Sequence, residues 1–335
     1  MRKQNLIFVA VIVLLGVFLI WKNPLSDTTT RVQNYEFSFG DTASIVRIEL
    51  TSKRPDTAIL NRTEDGWLVN NRYKARSSGI NTLLRTLHDQ EMKHFVAKDR
   101  MDRVVKYMAT GATEVQVFNT GNERIMHFFV GGNTPDQLGT YMMNSGADQP
   151  YAVHIPGFNG FLSSRYFTEE HLWRSKTIMA MSPNEIQRIE MQFPMNPDAS
   201  FTLTNEGEKF ALRSSAGEPI SNSDSSAIAG FIRQFEQVLI EGWIQPQDRV
   251  WAKKDSILHS TPEFELIISP FNGAPKTIKG YRKLALEGET DAAGNLREYD
   301  KDRFYAQSPE GDLVLIQRYA WSALLRDRTY FIKSR

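Results

Sequence analysis

The chain has 335 residues and no cysteine, and its 40 Lys plus Arg against 39 Asp plus Glu leave a formal net charge of +1. That length exceeds what one hydrophobic core usually supports, so two domains are the starting expectation. Balanced charge gives no field to gather nucleic acid or anionic lipid, and the missing thiols exclude disulfides, thiolate catalysis, Cys-based zinc sites and a lipidated N-terminal cysteine.

Residues 1–21 are expected to be a cytoplasmic tip and a transmembrane anchor. Leu6 to Trp21 runs without a polar side chain, and at helical rise this stretch is about 24 Å long. With Asn5 and Lys22 snorkelling at its ends it spans a bilayer core. Trp21-Lys-Asn-Pro-Leu25 follows, with no small-x-small cleavage site, which argues for an uncleaved anchor over a removed signal peptide. Arg2, Lys3 and the terminal amine precede the helix while only Lys22 follows closely. The positive-inside rule then holds the N-terminus in the cytoplasm and places the bulk of the chain in the periplasm, single-pass in a bacterial inner membrane. Residues 22–34 are polar and lack periodicity, as a flexible stalk would.

From Tyr35 onward the chain resembles itself. Ile45-Val-Arg-Ile-Glu49 recurs as Ile186-Gln-Arg-Ile-Glu190, and the same offset of 141 carries Ala58 to Ala199, Thr63 to Thr204 and Gly66 to Gly207. Ile80, Leu83, Leu84 and Leu87 fall on Ile228, Phe231, Ile232 and Phe235 at offset 148, which places seven extra residues after Gly207. Glu114-Val-Gln-Val-Phe118 meets Glu263-Phe-Glu-Leu-Ile267 at offset 149; Tyr141, Asp148 and Tyr166-Phe167 meet Tyr305, Asp312 and Tyr330-Phe331 at offset 164. Two α+β repeats are therefore expected, over 35–175 and 176–335.

Within the first repeat, alternation predicts strands over 45–50, 58–62 and 67–70, with Gly66 after Asp65 making the tight turn between the last two. A helix follows, with Ser77 and Ser78 as N-cap candidates in the first repeat and Ser223 and Asp224 in the second. Further strands are expected over 115–118, 126–130, 140–143 and 151–155. Strands joined by short non-helical links favour an antiparallel sheet with helices on one face. The expected fold class is α+β: an N-terminal transmembrane helix and two tandem copies of an antiparallel-sheet-plus-helix domain.

No motif carries chemistry at a specific spacing. The six histidines, His88, His94, His127, His154, His171 and His259, are scattered, and there is no His-Glu-x-x-His, Gly-x-Ser-x-Gly or Gly-rich phosphate loop. No catalytic residue, metal ligand or cofactor is therefore assigned. Glu169-Glu170-His171 beside Ser163 and Ser164 is better explained as a solvated helix start than as a hydrolase centre, because consecutive side chains diverge. Asp291 to Asp302 lacks the ligand alternation of a calcium loop and is expected to be an exposed hairpin loop. In Gly157-Phe-Asn-Gly-Phe161, Phe158 and Phe161 either tuck into the sheet at a strand-to-helix corner or anchor a partner. Trp173, Trp243, Trp251 and Trp321 are expected in the core or between the repeats.

Asp41-Thr-Ala-Ser-Ile45, Trp67-x-Val69-Asn70, Tyr73-Lys-Ala-Arg76, Val130-Gly-Gly132 with Thr134, Gly139-Thr-Tyr-Met142, His154-Ile-Pro-Gly-Phe-Asn-Gly160, Arg165-Tyr-Phe167 and Trp173-Arg174 together resemble the domain-of-unknown-function 4340 family of membrane-anchored bacterial proteins. The resemblance covers most of the first repeat and the second only loosely. It implies a place in the cell envelope and, in some members, genes beside ABC-transporter components of the gliding or exporter type; it supplies no activity and no catalytic residues. The expected function is a membrane-anchored extracytoplasmic scaffold or accessory protein binding a protein partner. The alternatives are an envelope hydrolase or a small-ligand-binding module with a site between the repeats.

Overall fold

The computed structural model describes residues 35–53, 56–207 and 209–333. The anchor, with Leu6, Trp21 and Lys22, and the stalk lie outside the described residues. Among the described residues no helix is long and apolar enough to cross a membrane. The chain divides into two compact units between Arg174 and Ser175. The class is α+β, with two large antiparallel sheets and few helices.

Unit 1 contains β1 (Ile45–Thr51), β2 (Thr57–Thr63), β3 (Gly66–Val69), β4 (Tyr73–Lys74), α1 (Ser77–Asp89), β5 (Glu91–Phe95), α2 (Lys98–Gly111), β6 (Thr113–Asn119), β7 (Arg124–Asn133), β8 (Thr140–Asn144), β9 (Tyr151–His154) and α3 (Glu170–Trp173). The strands form one nine-stranded sheet in the order β4-β3-β2-β1-β6-β7-β8-β9-β5. Period-two alternation puts Ile48, Leu50, Leu60, Val115, Val117 and Phe128 into one core. Helix α1 adds Ile80, Leu83 and Leu87 to it. Helix α2 packs elsewhere, with Val104 and Met108 against Phe129, Tyr141 and Met143.

Two glycines let α2 approach β7. A Cβ at Gly131 would lie 2.8 Å from Met108 Cγ, and one at Gly132 would lie 3.2 Å from the Tyr107 ring. Ser77 and Ser78 do not cap α1: the N-cap is Arg76, which makes no side-chain cap bond, and both serines sit in the first turn. Tertiary pairing positions this end instead, since Arg76 N–H donates to Trp173 O at 2.7 Å and Ala75 bridges to Arg174.

Unit 2 contains β10 (Thr177–Met179), β11 (Ile186–Gln192), β12 (Phe201–Asn205), β13 (Phe210–Ser214), α4 (Ser225–Ile232), β14 (Val238–Leu239), β15 (Gly242–Trp243), α5 (Lys254–Leu258), β16 (Phe264–Pro270), β17 (Lys276–Leu284), β18 (Tyr299–Gln307) and β19 (Leu313–Gln317). Its main sheet runs β13-β12-β11-β16-β17-β18-β19-β15, and β10 pairs with β14 in a separate ribbon. Asp224 is the N-cap of α4 and accepts from the backbone of Ser226 and Ala227 at 2.8 and 3.2 Å, as a capping carboxylate should. Trp173 and Trp321 are fully buried in the cores of units 1 and 2 respectively, and Trp243 packs against the second core from its edge.

The two main sheets follow the same order strand for strand, except that β4 has no counterpart. Their ladders correct some of the sequence correspondences. Ile48 pairs with Leu60 and Ile189 with Leu203, so Leu60 answers to Leu203 and Ala58 to Phe201, not to Ala199. Likewise Leu50 pairs with Val115 and Met191 with Leu266, so Glu114 answers to Glu265, not Glu263. Both errors are slips of two residues, which leave every side chain on its proper face and are invisible to a hydropathy pattern. The Tyr141 to Tyr305 correspondence agrees with the ladders.

Two differences set unit 2 apart. Phe129, Tyr141 and Met143 under α2 are replaced by Lys279, Tyr305 and Gln307, and Lys279 pairs with Glu265 at 3.2 Å. The other difference is hairpin length: Val130 pairs with Met142, 12 residues on, whereas Gly280 pairs with Ala306, 26 residues on. The β17–β18 hairpin therefore carries fourteen more residues than β7–β8.

Candidate functional site

The site is built where the chain leaves β9. Ile155 O accepts from Phe158 N–H at 3.0 Å, closing a turn in which Gly157 has φ +75°. That dihedral lies in the region that disfavours side chains with a Cβ. The following residues are pinned from below: Thr140 Oγ1 accepts from Leu162 N–H at 2.7 Å and Ser163 N–H at 3.2 Å. Ser163 Oγ donates to Asn133 Oδ1 at 2.7 Å. Tyr166 then donates to Gln90 Oε1 at 2.6 Å, and Gln90 Nε2 donates to Phe37 O at 2.7 Å. Tyr166 is fully enclosed, and burial pushes its phenol up.

This anchoring fixes Arg165. Its Nη1 donates to Thr86 Oγ1 of α1 at 2.8 Å, and its guanidinium carbon lies 4.3 Å from the Phe158 ring centroid. Partial burial lowers its proton affinity. Thr82, Arg85 and Asp89 share the adjoining face of α1 at helical spacing. With Arg165 and the turn Ile155–Phe158 they enclose a cleft of about 380 Å³. Asp89 is held below the usual carboxylate range, first by His88, whose Nδ1 lies 2.6 Å away, and then by Arg85 at 3.2 Å.

The sequence-derived candidates fall in different places. Phe158 is 37 % exposed and Phe161 is half-buried, while Leu162 between Phe161 and Ser163 is the residue that plugs the core. Of the two readings, tucking into the sheet does not hold for Phe158: Thr140 pins the backbone of Leu162 and Ser163, Leu162 is the buried side chain, and the Phe158 ring lies against Arg165. Glu170 opens α3 and accepts from Asn70 Nδ2 at 2.7 Å, a helix start as expected. Three of the other singled-out polar groups have local partners: His127 Nε2 lies 2.8 Å from Glu114, His154 lies 3.7 Å from Glu91, and Asp291 accepts from the backbone of Ala293 and Asn295 within its own hairpin loop. Among the described residues no group of three or more His, Asp and Glu is placed to hold a metal ion.

Sequence reasoning missed Arg165, Arg85 and Thr86. A signal existed, because Tyr166-Phe167 recurs as Tyr330-Phe331 whereas Arg165 falls on Thr329. A larger cavity, about 500 Å³, lies along β11 to β13. Its cations are already engaged, Arg188 by Glu190 at 2.9 Å and Arg213 by Gly217 O at 3.2 Å.

Fold and site thus define an α+β protein built on two large antiparallel sheets, with a polar cleft beside the principal helix of unit 1. The family model described as Domain of unknown function (DUF4340) matches residues 67–256, more than half of the chain, and the chain belongs to that family. No curated protein and no solved structure matches it.

Proposed function

We propose that the chain is a single-pass envelope protein whose periplasmic body, two tandem copies of one α+β domain, serves as a scaffold or accessory subunit for a partner protein. Transporter-associated, ABC-type components are the partner class that the family resemblance implies. The common strand order of the two main sheets supports duplication, and the apolar Leu6 to Trp21 segment supports the anchor.

The observation that carries partner binding is the lengthened β17–β18 hairpin. It presents Leu284, Leu286 and Leu296 at 59, 73 and 77 % exposure. Leucines so exposed gain about 1.5–3 kcal/mol each when covered, and their clustering on one hairpin marks an interaction surface. Between Leu284 and Glu298 stand Glu287, Glu289, Asp291 and Glu298 against one base, Arg297, and Lys283 just before is paired with Asp300 at 2.8 Å. The complementary occupant is a protein with an apolar groove rimmed by Lys or Arg.

A photo-crosslinking side chain at Leu286 or Leu296, in cells, tests this. Both positions should capture the same membrane protein, a probe at exposed Glu64 should not, and Leu→Ser at all three leucines should abolish capture without moving the melting temperature. Capture only of a second copy, or none alongside turnover of an envelope substrate by the purified chain, would reject the reading.

A further inference from the structure

We propose that the cleft beside α1 is a binding site for a small carboxylate ligand of roughly dipeptide size, with Arg165 receiving the carboxylate. This goes beyond partner binding and does not rest on it. Arg47, Arg188, Arg282 and Arg303 each meet a carboxylate, those of Glu49, Glu190, Glu263 and Glu241. Among the described residues Arg165 meets none within ion-pair distance; its partners are the Thr86 hydroxyl and the Phe158 ring. A guanidinium has five N–H donors, and among the described residues one of Arg165's is engaged by an acceptor, Thr86 Oγ1. Asp89 acts on Arg165 only at a distance and is itself paired with Arg85 at 3.2 Å, so the partly desolvated guanidinium keeps donors that an anion can fill.

The surroundings select the anion. A ring against one face of a guanidinium leaves its planar edge for bidentate pairing, the geometry a carboxylate matches. Asp89 lines the same cleft and is ionised and paired with Arg85, which leaves one uncompensated positive charge, on Arg165, for a monoanion to neutralise and a dianion such as phosphate to overshoot. Ile155, Pro156 and Phe158 supply apolar lining to the same cleft, which suits the side chain of a peptide or acylated amino acid. A volume of about 380 Å³ lies at the small end of the range for organic ligands, roughly 300–1,000 Å³.

Isothermal titration of the detergent-purified full chain with N-acetyl-leucine, its amide and inorganic phosphate tests the assignment. The acid should bind with at least about tenfold preference over the amide and over phosphate, the factor expected from one charge-assisted pair. Arg165→Gln should lose that binding while keeping its unliganded melting temperature, and Arg165→Lys should recover only part of it. If Arg165→Gln proves unstable, Phe158→Ala, which leaves the Arg165–Thr86 bond in place, must weaken acid binding several-fold. Equal affinity for acid and amide, a preference for phosphate, no binding of the acid up to about 10 mM, or unchanged affinity in the Phe158→Ala variant would overturn the proposal.

Discussion

Gly280→Ala should be among the most damaging single-methyl changes in unit 2. Gly280 of β17 stands opposite Phe264 of β16, and a Cβ there would fall 2.0 Å from Cε1 and 2.3 Å from Cζ of that ring. Carbon contacts are normally about 3.5–4.0 Å, so ring or strand must give way by roughly 1.5 Å. The ring has little room: it is 1 % exposed, edge-on to Phe304 at 6.0 Å and 6.1 Å from Trp321. Overpacking of this kind costs about 1–3 kcal/mol, and the size of the displacement points to the upper end, about 3 kcal/mol, even after Ala recovers the 0.5–1 kcal/mol of chain entropy that Gly forfeits. The measurement is hydrogen exchange under increasing urea, following β16 and β17 peptides with β6 and β7 peptides as internal reference. Phe264→Ala alone should cost about 3–5 kcal/mol. In its background Gly280→Ala should add almost nothing, a coupling of about 3 kcal/mol. A Gly280→Ala cost below about 0.5 kcal/mol, or the same cost with and without Phe264, would refute the reasoning, since surface-like changes alone stay in that range. The corresponding ladder pair in unit 1 is Thr113 and Val130, where the smaller partner faces a side chain instead of a bare backbone.

Thr140→Val should strip the buried Leu162 N–H and the part-buried Ser163 N–H of their acceptor; the loss is about 1–3 kcal/mol, with faster exchange over 161–166 than over β8, and equal exchange in variant and parent would contradict it. Asp136 makes a pH prediction: the Thr134 hydroxyl and then Leu138 N–H hold its carboxyl at about 2, down from 3.8. A depressed folded pKa contributes stability above the unfolded value that disappears as pH falls from 3.8 towards about 2. Asp136→Asn should therefore flatten the melting-temperature curve across that window, and parallel curves for variant and parent would show that the carboxylate is not held by these bonds.

Most strands of unit 1 could be located from alternation alone, because a half-buried antiparallel strand writes its burial into every second residue. The expected run over 45–50 became Ile45–Thr51 and that over 140–143 became Thr140–Asn144. Helix α2 was not legible. Its buried side is only Val104 and Met108 with Met101 beside them, and the seat that stabilises it, Phe129, Tyr141 and Met143, comes from strands later in the chain. The capping prediction succeeded at Asp224, whose carboxylate reaches its own helix, and failed at Ser77, where backbone from Trp173 and Arg174 holds the approach.

By itself, then, the sequence determined the α+β class, the alternation of the strands and the family, since these rest on local periodicity and on residues compared along the chain. Tertiary structure alone decided which strands are neighbours, the true register of the two sheets and the cleft around Arg165. Period-two patterns are unchanged by a slip of two residues, and Thr86, Phe158 and Arg165 meet only once Thr140 has pinned Leu162 and Ser163 beside α1.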